Sequence, residues 1–101
     1  MSDEQETWGF APPPFKPEEA LQRLRRDLRE AGLTERGGVF ERRGSAIARI
    51  AIDGASIKAE TVRQPARSPE WQARSLGSSA ELRDYVNELK RKLAGWSDRD
   101  D

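Results

Sequence analysis

The chain has 101 residues, 36% of them charged and 35% hydrophobic, enough for one domain with a modest core. It contains no cysteine and no histidine, which excludes disulfides, the usual zinc sites, and Ser-His-Asp or Cys-His catalysis. The carboxylates fall mostly on predicted helix faces and in the tails. We therefore expect a chain that is not an enzyme and has no cofactor, metal or catalytic residue.

The formal net charge is zero, but the charges are unevenly distributed along the chain. Residues 1–6 carry a net charge of −3 and residues 98–101 carry −2, which leaves +5 on the rest of the chain. A basic body with two acidic ends is typical of a protein that binds a polyanion. An arginine- and alanine-rich composition is equally what a GC-rich bacterial genome produces, so the charge alone decides nothing.

Residues 1–15 are predicted to form a flexible N-terminal arm that is first acidic and then rich in proline. Pro12, Pro13 and Pro14 favour an extended polyproline II segment. This segment either serves as a ligand for a proline-binding domain or leads aromatic residues back over the domain. The arm lacks the apolar run of a secretory leader, and no segment approaches the roughly 20 apolar residues of a membrane span. We expect a cytoplasmic protein.

A first helix is predicted from Pro17 to Ala31. Pro17 suits the first helical position, and the acidic residues that follow it favour the positive end of the helix dipole. Gly32 is predicted to end the helix in a left-handed conformation, with Leu33 packed on Leu28. Apolar residues at helical spacing form one face: Leu21, Leu24, Leu28 and Ala31.

A β-hairpin is predicted around Asp53-Gly54, because residues 46–52 alternate in polarity and this dipeptide favours a two-residue turn. That turn would place Ile50 opposite Ile57 on the core face. It would also place Arg49 opposite Lys58 on the outer face, and like charges so placed destabilise a sheet.

A second hairpin precedes this one, and its turn can be built in two ways. A two-residue loop at Arg43-Gly44 pairs Phe40 with Ile47 and turns the ring outward. A three-residue loop at residues 42–44 pairs Phe40 with Ala46 and buries the ring. We predict the three-residue loop, with Gly44 at positive φ, because burying a phenylalanine is worth roughly 1.5–3 kcal/mol.

Residues 64–77 are the hardest to interpret, because Pro65 and Pro69 exclude a central strand. Residues 70–76 are expected either to form a short edge strand or to lie across the sheet, held by Trp71 and Leu76. Trp71 either covers the core or belongs to a binding site on this segment.

A last helix is predicted to begin at a capping box in which Ser78 is the cap and Glu81 reaches back. Gly95 is predicted to end it, with Trp96 packed beside the end. Residues 97–101 are then expected to be a disordered acidic tail, so the folded domain spans residues 16–96.

These elements predict an α+β fold of order α-β-β-β-(β)-α. It is a three- to four-stranded antiparallel meander with two helices packed on one face. Residues 34–37 are expected to be a polar link. The order resembles that of the double-stranded-RNA-binding domain, but the last helix of that family starts with a lysine-rich signature. Residues 78–83 here read SSAELR and depart from it.

We expect a small interaction or accessory module with a protein partner, and nucleic-acid (RNA) binding as the alternative. An outer apolar patch of Val39, Ile47 and Val62 favours the protein partner. The alternative uses the basic outer sheet face and the 63–75 loop. The candidate binding surface comprises Arg49, Lys58, Arg63, Arg67, Trp71 and Arg74.

Overall fold

The structure is a computed structural model that describes the backbone of residues 15–99 and the side chains of residues 15–96. Residues 1–14 of the predicted N-terminal arm, and residues 100–101 of the predicted tail, lie outside the described residues. Within the described part, no helix combines the length and the apolar character needed to cross a membrane. The elements are α1 (Pro17–Glu30), β1 (Thr34–Arg36), β2 (Val39–Arg42), β3 (Ser45–Asp53), β4 (Ser56–Val62), β5 (Trp71–Leu76) and α2 (Ser79–Arg99).

The five strands form one antiparallel sheet in the order β1-β2-β3-β4-β5. This confirms the predicted α+β meander between two helices, with one strand more than its upper limit. The extra strand is β1, which had been predicted as a polar link. Gly37 and Gly38 connect β1 to β2, both at positive φ (58° and 83°), which is the geometry that a type I′ hairpin turn requires. Residues 71–76 are an edge strand, as one of the two alternatives predicted.

The β2–β3 turn has two residues, Arg43 and Gly44, at φ 54° and 79°. The predicted three-residue loop is therefore wrong, although Gly44 has the predicted positive φ. Phe40 is nevertheless fully buried, because a β-bulge shifts the register by one residue beyond the turn. Phe40 lies opposite Ala48 and Glu41 opposite Ala46, so Ile47 is the extra residue.

The β3–β4 turn is Gly54-Ala55, with Asp53 opposite Ser56. The predicted turn at Asp53-Gly54 is thus one residue out, which changes every partner across the hairpin by two residues. Gly54 has φ 63°, and only the first turn position needs a positive φ, as in a type II′ turn. Ile50 therefore pairs with Ala59 and not with Ile57. A shift of two residues leaves each side chain on its predicted face.

Helix α1 ends in a Schellman motif, as Gly32 predicted. The amide of Leu33 donates to the carbonyl oxygen of Leu28 at 3.2 Å, and the amide of Gly32 donates to the carbonyl oxygen of Arg29 at 3.0 Å. Gly32 has φ 99°. Leu33 is buried in the core, so the end of the helix directs the chain into β1.

Helix α2 begins at the predicted capping box. The amide of Glu81 donates to Ser78 Oγ at 3.2 Å, and Glu81 Oε1 accepts from the amide of Gly77 at 2.7 Å. The predicted end at Gly95 is wrong, because the helix continues to Arg99. Trp96 is buried, and its burial outweighs the cost of about 1 kcal/mol for a glycine inside a helix. Residues 97–99 of the predicted tail are thus helical.

Both helices pack on one face of the sheet and share a single core with it. Tyr85 of α2 is buried and its hydroxyl makes a 2.5 Å hydrogen bond with Thr61 of β4. Burial raises the pKa of this phenol. The largest fully buried side chains are Phe40, Leu24, Leu28, Ile47, Ile57, Leu76, Leu89 and Val62.

Candidate interaction surface

The two faces of the sheet are distinguished by strand register, because directly opposite residues share a face. Glu35 and Arg74 lie on the helix side, where they pair with Arg25 of α1 and Glu88 of α2. The opposite side of the sheet, here called the outer face, carries Arg36, Val39, Glu41, Arg49, Ala51, Lys58, Glu60, Val62, Trp71, Ala73 and Ser75.

Arg49 is the best-connected side chain of the outer face. Its Nε donates to Glu60 Oε1 at 2.9 Å and its Nη2 donates to Oε2 at 3.4 Å, a two-point contact with the residue directly opposite. Its guanidinium carbon lies 4.0 Å from the centroid of the Trp71 ring, within the range of a cation–π interaction. These three residues are called the Arg49 cluster below.

The predicted juxtaposition of Arg49 and Lys58 is wrong. Because the turn lies one residue further on, Lys58 is opposite Ala51 on β3 and opposite Ser75 on β5. The sheet therefore avoids a direct pair of like charges and gains a cross-strand ion pair instead.

The electrostatics of Glu60 follow from this geometry. The hydrogen bond from Arg49 is the largest influence and holds the pKa of the Glu60 carboxyl below its usual value. Partial burial acts in the opposite direction, and the charges of Arg49 and Lys58 lower the pKa further. Glu60 is thus ionised at neutral pH and neutralises a cation of the predicted binding surface.

The six predicted surface residues do not form one surface. Arg49, Lys58 and Trp71 share the outer face, whereas Arg74 lies on the helix side and donates to Glu88 Oε1 at 2.7 Å. Arg74 therefore does not extend the outer basic surface as predicted.

The loop between β4 and β5 holds two further predicted residues, Arg63 and Arg67. The amide of Arg63 donates to the carbonyl of Glu70 at 3.0 Å, and the two side chains form an exposed ion pair at 3.5 Å. These contacts close the base of the loop beside Trp71. Arg67 is exposed within it.

The predicted outer apolar patch is not open to solvent. Ile47 and Val62 are buried and Val39 is half-buried. Trp71 lies directly opposite Val62, is half-buried, and packs against the core. Trp71 therefore covers one end of the sheet while part of it remains accessible from the outer face.

Two features of the outer face were missed in the sequence. One is the ion pair between Arg36 and Glu41, whose Nε and Oε1 atoms are 4.0 Å apart. The other is a group of exposed small residues, Ala51, Ala73 and Ser75. Recognising Gly37-Gly38 as a hairpin turn would have revealed β1 and with it the first feature.

In the part of the chain that the structure describes, no three acidic residues are grouped so that they could hold a metal ion. Comparisons with models of protein families, with curated proteins and with solved structures find no match for this chain.

Proposed function

We propose that this chain is a small, non-catalytic cytoplasmic module that binds another protein through its outer face. The observation that carries the proposal is the Arg49 cluster. Arginine and tryptophan are enriched among the residues that dominate the energy of protein interfaces. Here both are held in place by packing and ion pairing, so little side-chain freedom is lost on binding.

The charges of the outer face support a protein partner more than a polyanion. Arg36 is paired with Glu41 and Arg49 with Glu60. A polyanion binder gains affinity when unneutralised cations displace counterions from phosphates, and neutralised arginines contribute little to that process. Among the cations of this face within the described part, Lys58 is the exception, since no carboxylate lies within ion-pair distance of it.

The shape of the surface also supports a protein partner. Ala51, Ala73 and Ser75 are small and exposed, and they lie on regular strands next to the larger side chains.

The pKa shifts of Glu60 and Tyr85 have structural causes, namely the Arg49 contact and burial in the core. Neither therefore indicates a catalytic group, which agrees with a binding role.

The test compares two alanine-to-glutamine variants in affinity capture from cell extract. Ala51→Gln adds bulk in the middle of the outer face, whereas Ala94→Gln makes the same change at an exposed position of α2. We expect the same proteins to be captured by the wild type and by Ala94→Gln, and to be lost with Ala51→Gln. Equal capture by all three proteins would contradict the proposal.

Nucleic-acid binding is a second candidate that one observation favours. Lys58 and Arg67 are exposed cations with no ion-pair partner within the described residues, and Trp71 offers an aromatic ring on which a base could stack. If this candidate is right, the protein binds RNA with an affinity that falls steeply as the salt concentration rises, whereas a protein-binding module shows no such binding.

A further inference from the structure

The two edges of the sheet differ in how well they are protected from pairing with another chain. The β1 edge has only three residues, two of them charged, and short charged edges resist pairing. The β5 edge has six residues, and they include no proline and no lysine. In the described part of the chain, no strand pairs with the free side of β5.

The side chains of the β5 edge do not repel an approaching strand. Residues 72–75 are all exposed in the described structure. The one charged residue among them, Arg74, is neutralised by Glu88 of α2 at 2.7 Å. The edge thus offers unpaired backbone groups with no local excess of charge.

We propose that β5 pairs antiparallel with β5 of a second copy of this chain. In an antiparallel pair, opposite residues lie on the same face of the sheet. The two-fold axis that relates the two strands must therefore lie between one residue and the same residue of the second copy, and not between two different residues. An axis at Arg74 would place two arginines opposite each other, which is unfavourable. An axis at Ala73 places Gln72 opposite the second copy's Arg74 and Trp71 opposite its Ser75.

The Ala73-centred register is self-complementary. The Gln72 side-chain oxygen can accept a hydrogen bond from the second copy's Arg74, and the smallest side chain of the strand lies on the axis. The pair extends the sheet to ten strands with all helices on one side and the two outer faces adjacent. The pairing uses the backbone edge of β5, although the side chains of Trp71, Ala73 and Ser75 also lie on the outer face. Self-association is measured without a partner protein, so its outcome is separate from that of the proposed function.

The test measures self-association of the full chain by sedimentation equilibrium up to millimolar concentration. The wild type is expected to form a dimer. Ala73→Lys should weaken it by about fivefold, because two lysines then meet on the axis. In the monomer this lysine lies opposite Glu60, so the fold should tolerate it. Gln72→Glu should strengthen the dimer, because a carboxylate then faces the second copy's Arg74.

The matched control is Ala55→Lys, which adds the same charge in the β3–β4 turn and should leave the dimer unchanged. The opposite expected signs of Ala73→Lys and Gln72→Glu separate the interface from any loss of folding. A wild type that stays monomeric at millimolar concentration overturns the proposal. A dimer whose dissociation constant is unchanged by Ala73→Lys overturns it as well. Hydrogen exchange gives a further outcome that overturns it. If the protein is monomeric and its β5 amides gain protection only when a captured protein is added, β5 pairs with that protein and not with a second copy.

Discussion

At the scale of single residues, Arg49 shows that the donors of a cation on an open sheet face can already be bound by side chains of the same sheet. Two of its nitrogens donate to Glu60 and its guanidinium lies over Trp71. An arginine held in this way has fewer donors left for a phosphate, yet its position is well defined for a protein partner. The number of arginines in a segment is therefore a poor guide to what the surface binds.

The pKa of Glu60 leads to a prediction about stability and pH. A carboxyl with a lower pKa in the folded than in the unfolded state adds stability above its unfolded pKa, and this contribution is lost as the pH falls through the folded pKa. Since the Arg49 hydrogen bond lowers the pKa of Glu60, we expect Glu60→Gln to reduce the free energy of unfolding at neutral pH. The difference from the wild type should disappear in acid. Urea unfolding at a series of pH values measures it.

The control for this prediction is Glu70→Gln. Glu70 pairs with Arg63, but both side chains are largely exposed, and such pairs contribute little to stability. This variant should stay close to the wild type at every pH. A Glu60→Gln variant whose difference from the wild type persists unchanged in acid would show that the ion pair is not its cause.

At the scale of elements, the sequence predicted which face each strand residue occupies better than it predicted which residues are partners. Alternation in residues 46–52 assigns faces, but a shift of two residues preserves every face. The Asp53-Gly54 and Gly54-Ala55 turns are therefore indistinguishable by hydrophobic pattern. The bulge at Ile47 was equally invisible, because an apolar residue fits both a regular strand and a bulge.

Two glycines allow a matched test of the observed turn and helix. Gly44 has φ 79°, so Gly44→Ala forces a residue with Cβ into the left-handed region, at a cost of about 1–2 kcal/mol. Gly95 lies inside α2, and an added Cβ there meets no atom within 4 Å. Gly95→Ala should therefore stabilise the protein by about 0.5–1 kcal/mol.

The measurement is the midpoint of chemical unfolding for both variants. Opposite signs confirm the left-handed conformation of Gly44 and the continuation of the helix past Gly95. If Gly95→Ala is also destabilising, α2 ends at Gly95, as the sequence predicts, and does not continue to Arg99.

At the scale of the whole molecule, both helices cover the same side of the sheet and leave the outer face to its own side chains. The sequence predicted this arrangement, because it follows from two amphipathic helices around a single meander. It predicted less of the site, since the position of Arg74 and the partner of Arg49 depend on register. The burial of Val62 depends on where β5 places Trp71, which the residues around Pro65 and Pro69 did not reveal.

The most direct test of the proposal that the outer face binds a protein and not a polyanion is a fluorescence-anisotropy titration of a single-stranded RNA oligonucleotide at low and at physiological salt. Because the arginines of the outer face are neutralised by Glu41 and Glu60, we predict no salt-sensitive binding at micromolar protein concentration. Lys90→Glu, a charge reversal on exposed α2, serves as the control for Lys58→Glu. Binding that weakens steeply with salt, is lost in Lys58→Glu and survives in Lys90→Glu would contradict the proposed protein-binding role and establish the outer face as a nucleic-acid surface.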